Sequence, residues 1–190
     1  MSKVRTIGAD VWKHKTDKVS LELFTLMYGS IVSQLCDDFE HDYTKVNHQL
    51  DKMGYNIGLR LIEEVLAKTG LPRCHSFRET ADAVTRVGFK MFLNITPQLG
   101  NWSVDNKQFS IIFPPGTNPL VEFVECYDER ARRELWYSNI LAGVIRGALE
   151  MVQLSCETEF VSDVLQGAAQ TELRVKIIKV LEDEVPQGEE

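Results

Sequence analysis

Cys74 is the residue whose sequence neighbours most clearly suggest chemistry. It lies in Pro72-Arg73-Cys74-His75, where a cation precedes the thiol and an imidazole follows it. Cationic neighbours favour the thiolate, which is the nucleophilic form of cysteine. A histidine adjacent in the chain is not placed to act as a base for its own neighbour. The residues alone therefore leave two interpretations open, a nucleophilic thiol and a plain loop cysteine.

The other polar residues do not form the pattern of a known enzyme. The chain has no glycine-rich phosphate loop, no G-x-S-x-G turn and no H-E-x-x-H helix. His41 and His48 are interpreted as a surface pair rather than metal ligands. The acidic residues within 37–42 are interpreted as an exposed turn, because no apolar neighbours would raise a carboxyl pKa there. We predict no catalytic and no metal site.

Length and composition restrict the class of protein. A chain of 190 residues with 44% hydrophobic and 26% charged residues is typical of one globular domain and excludes a disordered or collagen-like protein. A net charge of −7 argues against binding to nucleic acid. The four cysteines form no C-x-x-C pair, and there is no apolar run typical of a secretory signal or a membrane span. We expect a cytosolic protein.

The elements that must position Cys74 follow from hydrophobic periodicity. Apolar residues at helical spacing predict four main helices, at about 20–40, 44–68, 77–95 and 135–153, with Ser20 as the first N-cap. Short segments rich in Phe, Ile and Val predict strands, at 109–113, 120–124, 156–161 and 171–180. The first two strands are expected to form a hairpin, and Cys74 lies in the turn between the second and third helices. This order of elements predicts an α+β fold with an antiparallel sheet.

The remaining segments are expected to lie outside this framework. Residues 1–19 are predicted to be a flexible N-terminal arm, residues 20–185 the domain, and residues 186–190 an acidic tail. The charged stretch 125–134 is predicted to be a solvated loop.

Glycines inside the predicted helices require an explanation. Gly54 and Gly58 lie four apart in the second helix, and Gly143 and Gly147 lie four apart in the fourth. Each interior glycine costs about 1 kcal/mol relative to alanine. The pairs therefore indicate either close helix packing or space left for another group. Gly88 interrupts the third helix in the same way.

Several longer strings resemble the small-subunit family of the TRAPP vesicle-tethering complexes. The resemblance covers residues 20 to 188 in unbroken order and rests on strings at 22–29, 34–36, 53–58, 73–75, 89–97, 118–124, 137–141 and 147–152. Met53-Gly-Tyr-Asn-Ile-Gly58 and Phe89-Lys-Met-Phe-Leu-Asn-Ile-Thr-Pro97 are the most distinctive of them. The hairpin turn at 113–117 and the loop at 126–133 depart from the family pattern, which affects the partner contacts expected there.

The resemblance implies a fold and a lipid site. The fold is a single α+β domain in which four main helices pack on a four-stranded antiparallel sheet around a buried hydrophobic channel. Cys74 matches a cysteine at the mouth of that channel that carries a covalent palmitate. Arg73 matches the neighbour that assists acylation, and a small residue at Gly88 would keep the channel open.

The resemblance also implies partners. A TRAPP small subunit forms homodimers and heterodimers with related subunits and supports nucleotide exchange on a Rab-type GTPase through the assembled complex, without a catalytic site of its own. The C-terminal residues Glu189 and Glu190 become candidates for the GTPase contact. The expected location is the cytoplasmic side of cis-Golgi and ER–Golgi membranes, by peripheral association. The alternative function is an acyl-chain carrier with an exchangeable ligand in the channel.

Overall fold

A computed structural model describes residues 2–126 and 128–181 of the chain. The helices are listed here in chain order: α1 Ser2–His14, α2 Leu21–Asp38, α3 Tyr43–Thr69, α4 Phe77–Ala83, α5 Phe89–Leu93, α6 Glu129–Glu134 and α7 Ile140–Met151. A π-helical turn, Val84–Gly88, joins α4 to α5. The strands are β1 Gln98–Gly100, β2 Gln108–Phe113, β3 Leu154–Ser162 and β4 Thr171–Val180. They form one antiparallel sheet in the order β1-β2-β4-β3.

The first two long helices begin and end at local signals in the sequence. Ser20 caps α2 by accepting a hydrogen bond from the Leu23 amide at 3.1 Å. Asp42 caps α3 by accepting from the Lys45 amide, and Gly70 ends α3 in the left-handed conformation with φ of 62°. The helices predicted at 20–40 and 44–68 are therefore confirmed.

Close packing of α3 against α7 explains the two glycine pairs. A Cβ atom on Gly54 would overlap the carbonyl oxygen of Ile140, and one on Gly143 would overlap the carbonyl oxygen of Asp51. Gly58 and Gly147 meet the backbone of the opposite helix in the same way. The absence of side chains at these positions lets the two helix backbones touch. Of the two interpretations, close helix packing is confirmed.

The sheet presents one apolar face to the helices. Phe109, Ile111 and Phe113 of β2 are at most 1% exposed, and Leu173 and Val175 of β4 are fully buried. They belong to a core cluster that also receives side chains from α2, α3 and α7. The four-stranded antiparallel sheet and the single-domain α+β fold are confirmed.

The strand predicted at 120–124 is wrong, and so is its hairpin. Pro119–Val121 forms a 3₁₀ turn that Asn118 caps by accepting a hydrogen bond from the Leu120 amide. Leu120 is 1% exposed, and the Thr25 hydroxyl donates to the Pro119 carbonyl at 2.8 Å. The apolar segment thus reflects burial beneath α2 and not strand pairing. Strand β1 takes the place beside β2.

Four other predicted segments differ in detail. The helix expected at 77–95 is divided by the π-helical turn, and the helix expected at 135–153 begins only at Ile140. The charged segment expected as a loop contains α6. The segment 1–19, expected as a loose arm, contains α1, in which Val11 is 3% exposed. Gly8 brings α1 into direct contact with the backbone of Val87 in the π-helical turn.

Candidate functional site

An apolar cavity of about 1340 Å³ lies between α2, α3, α4, α5 and α7. Aliphatic and aromatic side chains form most of its wall, among them Phe24, Leu61, Val65, Phe89, Ile145 and Leu149. Such a volume exceeds the roughly 300–1,000 Å³ that usually accommodates a drug-sized ligand. The cavity therefore has the size and the polarity to hold a long hydrocarbon chain.

Cys74 lies at the rim of the cavity, in the loop between α3 and α4. Its neighbours Arg73 and His75 are exposed, whereas Cys74 itself is half-buried and lines the cavity. Local hydrogen bonds at the start of α4 position this loop. Ser76 Oγ accepts from the Glu79 amide at 3.2 Å, and the Glu79 carboxylate accepts from the His75 amide at 2.8 Å. The thiol is thus held where it can be reached from the solvent and from the cavity.

Arg73 connects the rim to the end of α7. Its guanidinium Nη2 donates to Gln153 Oε1 at 2.8 Å, and Gln153 directly precedes β3 with φ of 67°. This contact holds the guanidinium beside the cavity opening. A cation is therefore available near Cys74, but its hydrogen bond is made to an amide oxygen of another element.

The thiol of Cys74 is less acidic than its sequence neighbours suggested. Burial raises the pKa of the Cys74 thiol above its ordinary value, a hydrogen bond from the Thr80 hydroxyl lowers it in part, and the Glu79 charge raises it. Burial therefore acts against the thiolate that cationic neighbours would favour. The apolar cavity wall disfavours the anion, and Arg73 binds Gln153.

Gly88 lies in the cavity wall, at the end of the π-helical turn. A Cβ atom added there would meet no heavy atom within 4 Å, and the backbone is right-handed helical with φ of −58°. A larger side chain at this position would extend into open space that belongs to the cavity. Because Gly88 has no side chain, the cavity space beside it stays open.

Other residues singled out in the sequence either lie elsewhere in the described structure or fall outside it. Glu189 and Glu190 lie outside the described residues. Asp42 caps α3 and forms an ion pair with Lys45 at 3.0 Å. The ring of His41 packs against Tyr43. Within 2–126 and 128–181, no group of three or more His, Cys, Asp or Glu side chains could hold a metal ion.

Three residues near Cys74 did not emerge from the sequence: Thr80 and Gln153, which line the cavity, and Glu79, which accepts from the His75 amide. The spacing of Ser76 and Glu79 is a capping-box signal that was available in the sequence. Thr80 lies one helical turn after Ser76 and is 7% exposed. Gln153 meets Arg73 from 80 positions away, so no local pattern would reveal it.

A second apolar feature lies on the outer surface of α2. Leu23, Leu26 and Met27 are 52%, 60% and 58% exposed, and Phe123, which lies near Leu26, is 55% exposed. Met27 also lines the edge of the large cavity. We call these four residues the apolar patch. Leu26 and Phe123 also line a shallow groove of about 450 Å³. Among the described helices, none is both long enough and apolar enough to cross a bilayer.

Comparison with known proteins identifies relatives over the whole length. The family model described as Transport protein particle (TRAPP) component matches residues 24–176. Trafficking protein particle complex subunit BET3 from Saccharomyces cerevisiae is 53% identical over 187 residues, covering 98% of this chain and 95% of the relative. Transport protein particle subunit bet3 from Schizosaccharomyces pombe is 55% identical over 190 residues, covering 100% of both chains.

A solved structure shares the fold. It is a trafficking protein particle complex subunit 3 from Naegleria fowleri, covalently bound to palmitic acid. The match has a TM-score of 0.82 at 44% identity and covers 88% of this chain and 100% of the other.

Proposed function

The chain belongs to the TRAPP component family, and from this premise we propose that it is a core TRAPP subunit carrying a palmitoyl chain on Cys74. The observation that carries the lipid assignment is the half-buried thiol at the rim of an apolar cavity of about 1340 Å³. The palmitic acid bound covalently to the Naegleria fowleri relative supports the same ligand class. The acyl chain would occupy the cavity as part of the core.

The residues at the rim take roles in this proposal. Arg73 assists acylation from its position beside the opening, held by Gln153. Gly88 leaves the channel free for the acyl chain. The site forms and keeps one thioester and needs no metal and no resident cofactor other than palmitate.

The wider function follows from membership in the family. We propose that the protein tethers transport vesicles in ER-to-Golgi traffic and supports nucleotide exchange on a Rab-type GTPase as part of the assembly. It has no catalytic site of its own in this proposal. It associates peripherally with cis-Golgi and ER–Golgi membranes from the cytoplasm. Glu189 and Glu190 remain candidates for the GTPase contact.

Intact-protein mass spectrometry tests the lipid site. We expect the purified protein to carry the mass of one palmitoyl group, which neutral hydroxylamine removes because it cleaves thioesters. The variant Cys74→Ser should lack the increment, whereas Cys126→Ser, which changes another thiol outside the cavity, should keep it. A protein that stays unmodified after incubation with palmitoyl-CoA would contradict the proposal.

The same measurement separates the proposal from an acyl-chain carrier. A carrier would release free fatty acid into organic solvent without hydroxylamine, and Cys74→Ser would still bind it. A covalent acyl chain instead survives solvent extraction and depends on the thiol.

The apolar patch is proposed as the surface that binds a second copy of this chain or a related subunit. Exposed leucine and phenylalanine side chains that lie together are typical of protein interfaces. We expect Leu26→Glu to convert a dimer of the purified chain to a monomer in analytical ultracentrifugation, because a charge would be buried without a partner.

Val104→Glu provides the matched control for this experiment. Val104 is fully exposed in the segment between β1 and β2, away from the apolar patch. The control should leave the dimer intact. A dimer that survives Leu26→Glu would show that the subunits associate through another surface.

A further inference from the structure

Helix α1 lies against the outer side of the cavity wall. It packs against the π-helical turn and α5, which together form the segment 84–93. Val84, Gly88 and Phe92 of this segment line the cavity. Their spacing of four residues places them on one helical face. The segment 84–93 therefore lies between the cavity and α1.

Buried apolar residues on both sides of this contact lie apart from the main core. Val11 of α1, Val87 and Met91 are at most 3% exposed, and all three lie outside the cavity lining and the core cluster. Gly8 allows the close approach. A Cβ atom added there would overlap the Arg86 carbonyl oxygen and lie 3.0 Å from the Val87 Cα. The backbone of α1 thus touches the backbone of the π-helical turn.

A second contact connects the end of α1 to the end of α3. The Lys15 ammonium donates to the Lys68 carbonyl oxygen at 3.1 Å, and the Lys15 amide donates to the Val11 carbonyl oxygen at 2.8 Å. Leu66, two residues before Lys68, lines the cavity. Helix α1 therefore contacts two elements that form the cavity wall.

The π-helical turn determines which residues of the wall face the cavity. It is closed by a hydrogen bond from the Phe89 amide to the Val84 carbonyl and so contains one residue more than an α-helical turn. A continuous α-helix through the same residues would rotate the segment beyond the turn, including Phe92, by about 100°. The backbone contact with α1 falls on Arg86 and Val87, inside this turn. Helix α1 is thus placed where it can hold the turn in shape.

We propose that α1 is a positioning element of the acyl site and that, through Gly8, it holds the π-helical turn in the orientation that keeps the cavity open for an acyl chain. This inference rests on the proposed acylation of Cys74. An acyl chain that fills the cavity keeps Val84 and Phe92 from moving inward, away from α1. The acyl chain and α1 therefore stabilise the same conformation of the wall, and each strengthens the binding of the other by the same factor.

Hydrogen exchange followed by mass spectrometry tests this coupling in the wild type. Full-length protein is compared after palmitoylation with palmitoyl-CoA and after treatment with hydroxylamine. We expect the amides of α1 to exchange at least about fivefold more slowly in the palmitoylated form, as is typical of linked sites. The residues of α6 lie outside the cavity lining, so α6 should exchange equally in both forms. Equal exchange of α1 in the two forms would overturn the inference.

Two matched variants test the coupling from the side of α1. Gly8→Val forces α1 away from the Arg86 carbonyl, whereas Ala9→Val adds the same side chain at an exposed neighbouring position. Deacylated protein is incubated with increasing concentrations of palmitoyl-CoA, and acylation is followed by intact mass. For Gly8→Val, the concentration that gives half the maximal rate should rise by about the same fivefold. For Ala9→Val, it should stay at the wild-type value.

Alkylation of Cys74 by iodoacetamide separates a moved wall from a disturbed thiol. Iodoacetamide is small and does not need the cavity, so Gly8→Val should be alkylated at the wild-type rate, as measured by peptide mapping. Wild-type acylation of Gly8→Val would contradict the role of α1, and so would an equal slowing of acylation and alkylation. If Gly8→Val does not fold, the exchange measurement on the wild type decides.

The outcomes separate this inference from the proposed function. A wild type that takes up palmitate but shows equal exchange of α1 in both forms would remove the role of α1 and leave the acylation of Cys74 intact. A wild type that does not accept palmitoyl-CoA would overturn the proposed function, and this inference with it.

Discussion

Acylation of Cys74 is expected to raise the melting temperature by at least about 8 °C over the hydroxylamine-treated protein. Burying a long acyl chain contributes on the order of 10 kcal/mol at about 0.8 kcal/mol per CH₂ group, as an upper bound before the chain is ordered. If about 4 kcal/mol of this stabilisation remains after the chain is ordered, the melting temperature of a domain of this size rises by about 8–16 °C. Differential scanning calorimetry of both forms measures the shift.

Two variants show whether the cavity is the source of this gain. Cys74→Ser cannot carry the thioester and should melt like the deacylated wild type. Gly88→Phe places an aromatic ring in the open space of the channel and should prevent acylation without unfolding the protein. Equal melting temperatures for acylated and deacylated wild type would show that the acyl chain is not part of the core. A long acyl chain exposed on the surface would act only as a weak membrane anchor.

Alanine at Gly54 or Gly143 is expected to destabilise the protein by about 3 kcal/mol or more. Each new Cβ atom would overlap a carbonyl oxygen of the opposite helix, and a backbone atom cannot move aside as a side chain can. α3 and α7 would have to separate, which opens the core that they share with the sheet. Urea unfolding monitored by circular dichroism measures the loss, with little change in the m-value.

Gly88→Ala is the matched control, because it makes the same change in a helical glycine that faces open space. Alanine there should leave stability unchanged or raise it by up to about 1 kcal/mol. The double variant Gly54→Ala/Gly143→Ala should lose less free energy of unfolding than the sum of the two single losses. The first substitution already separates the helices. A destabilisation of Gly88→Ala equal to that of Gly54→Ala would contradict the packing explanation.

Much of the fold could be predicted because its signals are local. The Ser20 cap, the Asp42 cap and the apolar periodicity between them determine α2 and the start of α3 from interactions within four residues. Cys74 was placed correctly in a loop because Gly70 and Pro72 end α3. The glycine pairs left close helix packing and space for another group as alternatives, and the contact between the backbones of α3 and α7 decided for packing.

The features that could not be predicted depend on contacts between distant segments. Leu120 resembles a strand residue because it is apolar, yet the backbone of its segment is set by Asn118 and by the Thr25 hydroxyl of α2. Strand β1 has only three residues, which is too short for a recognisable strand pattern. Its extended conformation depends on pairing with β2. Propensity cannot decide such segments, because tertiary hydrogen bonds outweigh it.

The long helices, the family and the position of Cys74 in its loop could be predicted without a structure. Each of these depends on neighbouring residues or on strings of residues that stay together in the chain. Only the tertiary structure decided the character of the site. It surrounds the thiol with an apolar wall and binds Arg73 to Gln153 from 80 positions away. The physical reason is that burial and charge at a thiol arise from every element packed around it, whereas the sequence reveals only its two covalent neighbours.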